Sequence, residues 1–222
     1  MDSYYLNSYA PLIINRRGSQ ISSSSDIPPF VDGSIRREPD LEHEQPAITC
    51  LCRGKQFTPR LEIGDHIAYL TKKVRFDTRT PRQRRLTAVF RVKELFANHE
   101  AAAEWYLQHN RSLPNNIVVD GNAAKLLKES HCKFQRVLLG VDDNSGRSRW
   151  DNTYRKRAKR FPVVAVCDRL FVDIQESAPI ISDDMLANAF GKIPGTQNPG
   201  RLAKAAFMKL LRLACIKLPS SP

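Results

Sequence analysis

Apolar and polar residues alternate along several short stretches of the chain, which is the pattern of half-buried β-strands. Residues 66–71 alternate after a Gly-Asp turn, and residues 86–92 place every second side chain, from Leu86 to Val92, on one predicted face. Further strands are predicted from the apolar runs at residues 12–14, 47–51, 134–141 and 161–173. The last run, rich in valine, fits either one long strand or a hairpin bent at residues 168–169.

Helices are predicted in three places. Asn98 can cap a helix over residues 100–109, and Ser182 can cap a short helix over residues 183–190. A C-terminal helix over residues 201–217 has an apolar stripe at Leu202, Ala206, Leu210 and Leu213. Because helices and strands do not alternate regularly, the pattern predicts an α+β fold, with a small barrel flanked by helices.

Two segments between these elements are predicted to be loops. Serines at 22–25 followed by a Pro-Pro pair indicate a mobile loop near residues 18–29, and a basic run indicates another near residues 144–160. We expect residues 1–175 to form one domain and residues 176–222 to form a C-terminal helical extension that packs on it.

The net charge of +12 is concentrated in two segments. Residues 72–85 contain seven basic residues and one acid, residues 147–160 contain the same numbers, and the remaining 21 basic and 21 acidic residues balance. Basicity confined to two segments is typical of a face that binds a polyanion, and the rings of Trp150 and Tyr154 are suited to stack on bases. The alternative is a pair of solvated loops, which is the usual role of a single charge run.

Motifs for catalysis, metal binding and membrane insertion are absent from the sequence. The chain has no Gly-rich phosphate loop, no nucleophile elbow and no His-Glu-x-x-His motif. Its five cysteines include one close pair, Cys50 and Cys52, whose spacing suits neither a redox pair nor zinc. No apolar run approaches the roughly 20 residues that span a bilayer, and residues 1–10 do not resemble a secretory signal. We therefore expect a cytoplasmic protein without a cofactor or metal.

The segment at residues 32–39 combines a turn former with two arginines, an acid and a proline. Asp-Gly at its start predicts a tight turn with positive φ at the glycine. Arg36 or Arg37 can then fork onto a phosphate or a base edge, or can instead pair with Glu38 or Asp40 and pin the loop. A second small and basic turn follows at residues 52–55 and is also suited to approach a ligand.

Two stretches resemble the core of PUA-like domains, the superfamily that includes the ASCH, EVE and YTH families. The first is Leu-Glu-Ile-Gly-Asp at residues 61–65 with the strand that follows it to Lys72, and the second runs from Arg85 to Glu94. Residues 32–39, 47–53 and 113–116 are most similar to the bacterial nucleotide-modification-associated branch of that superfamily. The resemblance covers about residues 4–119 and rests on the order of the segments.

This resemblance implies a small twisted β-barrel that reads a modified base flipped into a pocket, in bacterial DNA or RNA modification or defence. The residues expected to form the base pocket are Asp32, Gly33, Ser34, Arg36, Arg37, Arg53, Asn115 and Asn116. The side chains expected to bind the nucleic-acid backbone are Lys72, Lys73, Arg75, Arg82, Arg84, Arg85, Arg147, Arg149, Arg155, Lys156, Arg157, Lys159 and Arg160. Trp150 and Tyr154 are expected to stack on bases.

Two other functions fit the sequence. The protein is alternatively a nuclease or nucleotide hydrolase, with the candidate catalytic groups Asp32, Glu38 and Lys55. It is alternatively an interaction protein within a larger modification or defence complex that docks a partner through residues 201–217. In that case Phe207 and Leu211, which lie off the predicted apolar stripe, would be exposed.

Overall fold

A curled, mixed β-sheet organises the molecule. The structure is a computed structural model that describes residues 2–76, 81–124, 143–195 and 199–219, without the side chains of residues 17, 25 and 143–150. Its strands are β1 (Tyr4–Tyr9), β2 (Ala47–Thr49), β3 (His66–Thr71), β4 (Arg84–Phe96), β5 (Val164–Val172) and β6 (Ile180–Ile181). The helices are α1 (Arg16–Ser25), α2 (His99–Gln108), α3 (Asp143–Arg160), α4 (Asp183–Phe190) and α5 (Lys204–Leu213). The predicted α+β class is confirmed.

The strand order is β1-β3-β4-β5-β2, and β6 pairs with the start of β4. β1 runs parallel to β3, whereas the remaining strand pairs are antiparallel. The registers of β3 with β4 and of β4 with β5 shift at three positions. Such shifts are β-bulges, which bend a strand and increase its twist, so the sheet curls into a half-barrel.

The two faces of the sheet carry separate apolar cores because successive strand residues point in opposite directions. Tyr5 and Tyr9 of β1 face the larger core, which also takes Tyr69 and the aromatic ring of Phe90. The other face is covered by α4 and α5, which pack on the opposite side chains of β1 and β3, such as Leu6. A ligand site on one face is therefore separated by the sheet from the helices of the other.

The prediction of a mobile loop near residues 18–29 is wrong, because α1 occupies most of this segment. Asn15 caps this helix by accepting a hydrogen bond of 2.9 Å from the Gly18 amide, and Ile21 packs on the larger core. A side chain at Gly18 would meet the Leu12 carbonyl oxygen at 1.8 Å, so glycine permits the close approach of helix and preceding turn. The strand predicted at residues 12–14 is also wrong, since those residues form a 3₁₀ turn after β1.

The basic loop predicted near residues 144–160 is a helix, α3. Its polar composition hides an apolar pair, Tyr154 and Ala158, spaced by one helical turn and buried against Leu51 and Val118. Tertiary packing therefore orders a segment that its composition suggests should be solvated.

Two strand predictions are corrected in detail. Leu86 faces the core opposite to that of Ala88 and Phe90, because the β3–β4 register shifts beyond Tyr69. The run at residues 161–173 contains one strand, β5, and not a hairpin. The strand predicted at residues 134–141 lies outside the described residues.

The C-terminal helix is confirmed over a shorter range, Lys204–Leu213, but its buried face differs from the predicted stripe. Phe207, Leu210 and Leu211 are buried, and Leu213 is 37% exposed. Phe207 and Leu211 are thus core residues rather than an exposed docking face. Within the part of the chain that the structure describes, no helix is both long and apolar enough to cross a membrane.

Candidate functional site

A cavity of about 440 Å³ opens at the edge of the sheet where the parallel strands β1 and β3 both end. The residues that follow β1, the loop at 32–38 and the turn at 52–57 close around it. Two contacts hold the 32–38 loop against the end of β1: the Leu12 amide donates to Val31 and the Gly33 amide donates to Ala10. A cavity of this size is typical of small-ligand sites.

Gly33 allows the loop to lie close to the end of β1 because it has no side chain, and not because it adopts a left-handed turn. A Cβ at Gly33 would lie 3.3 Å from the Cα of Leu12, so the loop approaches the β1 end closely. The positive φ predicted for Gly33 is instead found at Arg37, where φ is 40°. The residue with positive φ therefore lies four positions later in the chain than predicted.

Asp32 presents a carboxyl group to the cavity. Its Oδ1 atom accepts hydrogen bonds from the Ser34 amide at 2.8 Å, from the Ser34 hydroxyl, and from the Glu38 amide at 3.3 Å. Burial raises the pKa of Asp32 to about 6, and the hydrogen bonds from Ser34 oppose that shift. The carboxylate is mostly ionised at neutral pH.

Glu38 contributes a second, more deeply enclosed carboxyl group. The Thr49 amide donates to Oε1 at 2.8 Å, and Oε2 is bonded by the Thr49 hydroxyl at 2.5 Å and by the Asn116 amide at 2.9 Å. Burial raises the pKa of Glu38 to about 8 despite these bonds, and the nearby Asp32 charge adds to the shift. At neutral pH the two carboxyl groups of the cavity thus differ in charge.

Aromatic and amide side chains that the sequence analysis missed form much of the remaining wall. Tyr9, Phe57 and Tyr69 supply rings, and Asn7 supplies an amide beside Tyr69. The signal that could have found Asn7 is its spacing: it alternates with Tyr5 and Tyr9, so its amide shares their face of β1. This signal is visible only if residues 4–9 are recognised as a strand, whereas the first strand was predicted at residues 12–14.

Two cations line the cavity as well. Arg53 donates a hydrogen bond of 2.7 Å to the Ser8 carbonyl, which anchors its guanidinium at the end of β1. Lys72 is exposed immediately after β3 and belongs to the first basic segment. Cations beside an aromatic cavity suit a ligand that joins a ring to a phosphate.

The second basic segment is attached to the back of the same wall. The Tyr154 side chain of α3 lies beside that of Ser34, which lines the cavity. Arg36 is fully buried and reaches Asp151 of α3 at 2.8 Å through Nε, while its Nη1 donates to the carbonyls of Asn115 and Asn122. The first basic segment therefore lines this cavity through Lys72, and the second adjoins the loop that forms part of its wall.

Four residues expected in the base pocket have structural roles instead. Arg36 fastens α3 as described. Arg37 pairs with Asp40 at 3.8 Å, as the alternative of a pinned loop predicted, and more closely with Glu42 at 2.8 Å. Asn115 donates to the Ile35 carbonyl, and Asn116 donates to Glu38 and to the Ala47 carbonyl. None of the four lines the cavity. Asp32, Gly33, Ser34 and Arg53 are the expected residues that the structure brings together there.

Part of the first basic segment is used within the fold. Lys73 and Arg84 both pair with Asp183 of α4, and Arg85 donates to the carbonyls of residues 176 and 178 while lying over the Phe30 ring. Lys72, Arg75 and Arg82 are exposed. Fewer residues of this segment than predicted are therefore available to contact the nucleic-acid backbone.

The second basic segment keeps most of its charge at the surface. Arg155 pairs with Asp120 and with Asp151, whereas Lys156, Arg157, Lys159 and Arg160 are exposed. Tyr154 is buried, so the stacking role expected for it is wrong. The side chains of Arg147, Arg149 and Trp150 lie outside the described residues.

Over the ranges described, no three His, Cys, Asp or Glu side chains come close enough to hold a metal ion. Lys55, a candidate for catalysis, is exposed and does not line the cavity. Comparison of the chain with protein-family models, with curated proteins and with solved structures finds no match.

Proposed function

We propose that this protein binds nucleic acid through its basic segments and holds one extruded, modified base in the cavity, as a PUA-like reader in bacterial DNA or RNA modification or defence. A cytoplasmic location accompanies this function. The observation that carries the proposal is that both basic segments adjoin one cavity: Lys72 lines it, and α3 is fastened through Asp151 to Arg36 of the 32–38 loop that forms part of its wall.

The chemistry of the wall supports a base as the ligand. Extruding a base from a stack costs a few kcal/mol, which stacking on rings and hydrogen bonds to the base edge must offset. Tyr9, Phe57 and Tyr69 provide aromatic surface, and Asp32 provides an ionised hydrogen-bond acceptor. Arg53 and Lys72 are placed to neutralise the phosphates that flank an extruded nucleotide.

Exposed cations on α3 are expected to contact the backbone. We expect the triple substitution Lys156→Ala/Arg157→Ala/Lys159→Ala to weaken binding of short oligonucleotides and to reduce the slope of log affinity against log salt by about 2–3. Fluorescence polarisation at several salt concentrations, with single- and double-stranded DNA and RNA, plain and base-modified, measures both quantities.

A matched triple substitution removes the same charge from the other side of the sheet. Lys204, Arg212 and Lys217 are exposed on or beside α5, which covers the face opposite to the cavity. Their replacement by alanine should leave affinity and salt slope unchanged. Equal losses in both triples would mean non-specific attraction, and no loss in the α3 triple would overturn the assignment of α3 to the backbone.

The pair of carboxyl groups favours one alternative, an enzyme that acts on nucleic acid or nucleotides. Asp32 and Glu38 line the same cavity, and the pKa values of about 6 and about 8 push them towards different protonation states at neutral pH. Such a difference is the arrangement that acid–base catalysis uses. Turnover of an oligonucleotide or nucleotide by the wild type, lost in Asp32→Asn and Glu38→Gln, would favour the enzyme; binding without turnover would remove it.

A further inference from the structure

The Asp32 carboxyl group is held so that one oxygen serves the fold and the other is left for a ligand. All three hydrogen bonds that it accepts, from the Ser34 amide and hydroxyl and from the Glu38 amide, go to Oδ1. Among the residues that the structure describes, Oδ2 has no hydrogen-bond partner, and it is not one of the fully enclosed polar atoms that lack one. Since Asp32 lines the cavity, Oδ2 remains open to it.

The second carboxyl group of the cavity cannot take the same role. Glu38 has both oxygens occupied, Oε1 by the Thr49 amide and Oε2 by Thr49 and Asn116. Of these two carboxyl groups, only that of Asp32 has an oxygen without a hydrogen-bond partner among the described residues. Burial raises its pKa only to about 6, so at neutral pH this oxygen accepts and does not donate.

The edge of a base that faces a carboxylate oxygen must present an N–H group. Adenine and cytosine present an exocyclic amino group where hypoxanthine and uracil present a carbonyl oxygen, and a carbonyl opposite a carboxylate is repelled and leaves it without a donor. We propose that Asp32 Oδ2 accepts a hydrogen bond from the exocyclic amino group of the extruded base, so that the cavity selects amino-bearing bases and rejects their carbonyl counterparts. This inference rests on the proposed function, and it names the class of base rather than the modification.

The test compares bases that differ only in an amino or a carbonyl group. Oligothymidine strands carry one central base, taken from the pairs cytosine and uracil, 5-hydroxymethylcytosine and 5-hydroxymethyluracil, or adenine and hypoxanthine. We expect wild-type protein to bind the amino member of a pair on the order of ten- to a hundredfold more tightly, the range of a hydrogen bond to a charged group. The thymine flanks carry no exocyclic amino group, so only the central base of each strand can supply one.

Asp32→Asn keeps an oxygen that can accept the hydrogen bonds within the loop, and it replaces the accepting oxygen that faces the cavity by a donating amide nitrogen. The amide oxygen can accept from Ser34 and Glu38 as Oδ1 does, while the amide nitrogen donates where Oδ2 accepted. We expect the preference between amino and carbonyl members to disappear or invert. The matched control, Asp184→Asn, makes the same exchange at an exposed residue of α4 on the opposite face of the sheet, so it should retain the wild-type preference.

The outcomes separate this inference from the proposed function. Absence of salt-dependent binding to any strand would overturn the proposed function, and the inference with it. Binding without a preference between paired bases, or a preference for the carbonyl members, would overturn the inference alone, and the wild-type ratios decide this even where Asp32→Asn does not fold. A preference that survives Asp32→Asn unchanged would show that another group reads the base.

Discussion

Glu38 couples the stability of the fold to pH because its carboxyl group is enclosed in the cavity wall. Burial raises its pKa from an ordinary 4.5 to about 8. Between these pH values the folded chain holds a proton that the unfolded chain has released, so the free energy of unfolding falls as pH rises from about 4.5 to about 8. Asp32 has the same sign in a lower window, from 3.8 to about 6.

Glu38→Gln isolates this contribution, since glutamine has a similar shape and no charge to lose. We expect the wild-type free energy of unfolding to decrease between pH 6 and pH 8, above the window of Asp32. The variant should show no such decrease, since burial lowers the pKa of His99 to about 4 and that shift acts in the opposite direction. Urea unfolding at a series of pH values measures it. Glu104→Gln, an exposed carboxyl on α2, should keep the wild-type slope. A wild type as stable at pH 8 as at pH 6 would show that Glu38 is already ionised in the fold.

At the scale of elements, α3 is held to the cavity wall by one buried arginine. Arg36 is fully buried and meets Asp151, whose side chain is 17% exposed, together with two backbone carbonyls. Removing the guanidinium takes a donor from two carbonyls and leaves the largely buried Asp151 carboxylate to its pair with Arg155, which is more exposed. Such a loss is far more costly than the loss of a surface pair.

Arg36→Met and Arg155→Met make a matched test because both arginines contact Asp151. We expect Arg36→Met to lower the free energy of unfolding by about 3–5 kcal/mol. Arg155, whose side chain is 35% exposed, should cost about 1 kcal/mol or less. Denaturant titrations give both values; similar, small losses would mean that α3 is not fastened through Arg36.

At the scale of the whole molecule, the two ends of the chain complete one core. Leu202 bridges Tyr4 of β1, and the ring of Phe207 lies 5.1 Å from that of Tyr4. β1 is an edge strand of the sheet, with β3 as its only sheet neighbour in the strand order of the described residues. The C-terminal helix therefore stabilises the same strand whose carboxyl end lines the cavity.

Phe207→Ala tests whether α5 is core or docking surface. We expect a loss of about 3–5 kcal/mol in the free energy of unfolding, since a fully buried ring is replaced by a cavity. Met208→Ala, next in sequence but 36% exposed, should cost much less. Thermal or urea unfolding distinguishes them. A stable Phe207→Ala variant that had lost only a protein partner would restore the interaction hypothesis.

The sequence predicted local structure well where a local signal exists. The caps at Asn98 and Ser182 give the helices α2 and α4 to within one residue, because a cap acts within one turn. Alternation located β3 and β4 for the same reason. It failed at Leu86, since a bulge is decided by the partner strand and leaves no mark in the alternating residues.

The candidate site was predicted in part. Asp32, Ser34 and Arg53 lie in segments whose turn formers and charges are visible in the sequence, and the structure brings them to one cavity. Asn115 and Asn116 have the right chemistry and the wrong surroundings, since neighbouring carbonyls and carboxyl groups already occupy their amides. Whether a polar side chain is occupied is a property of its neighbours, not of its type.

Composition, periodicity and caps act over a few residues, so they were enough to predict the α+β class, the capped helices and the two basic segments. Which cations remain at the surface, and which carboxyl groups share a cavity, follow from the tertiary structure. Tertiary packing also makes the serine-rich and basic segments helical, by partly burying Ile21 of α1 and by burying Tyr154 of α3. The physical reason is burial: hydrogen-bond occupancy, charge state and helix stability at these positions depend on contacts between residues far apart in the chain.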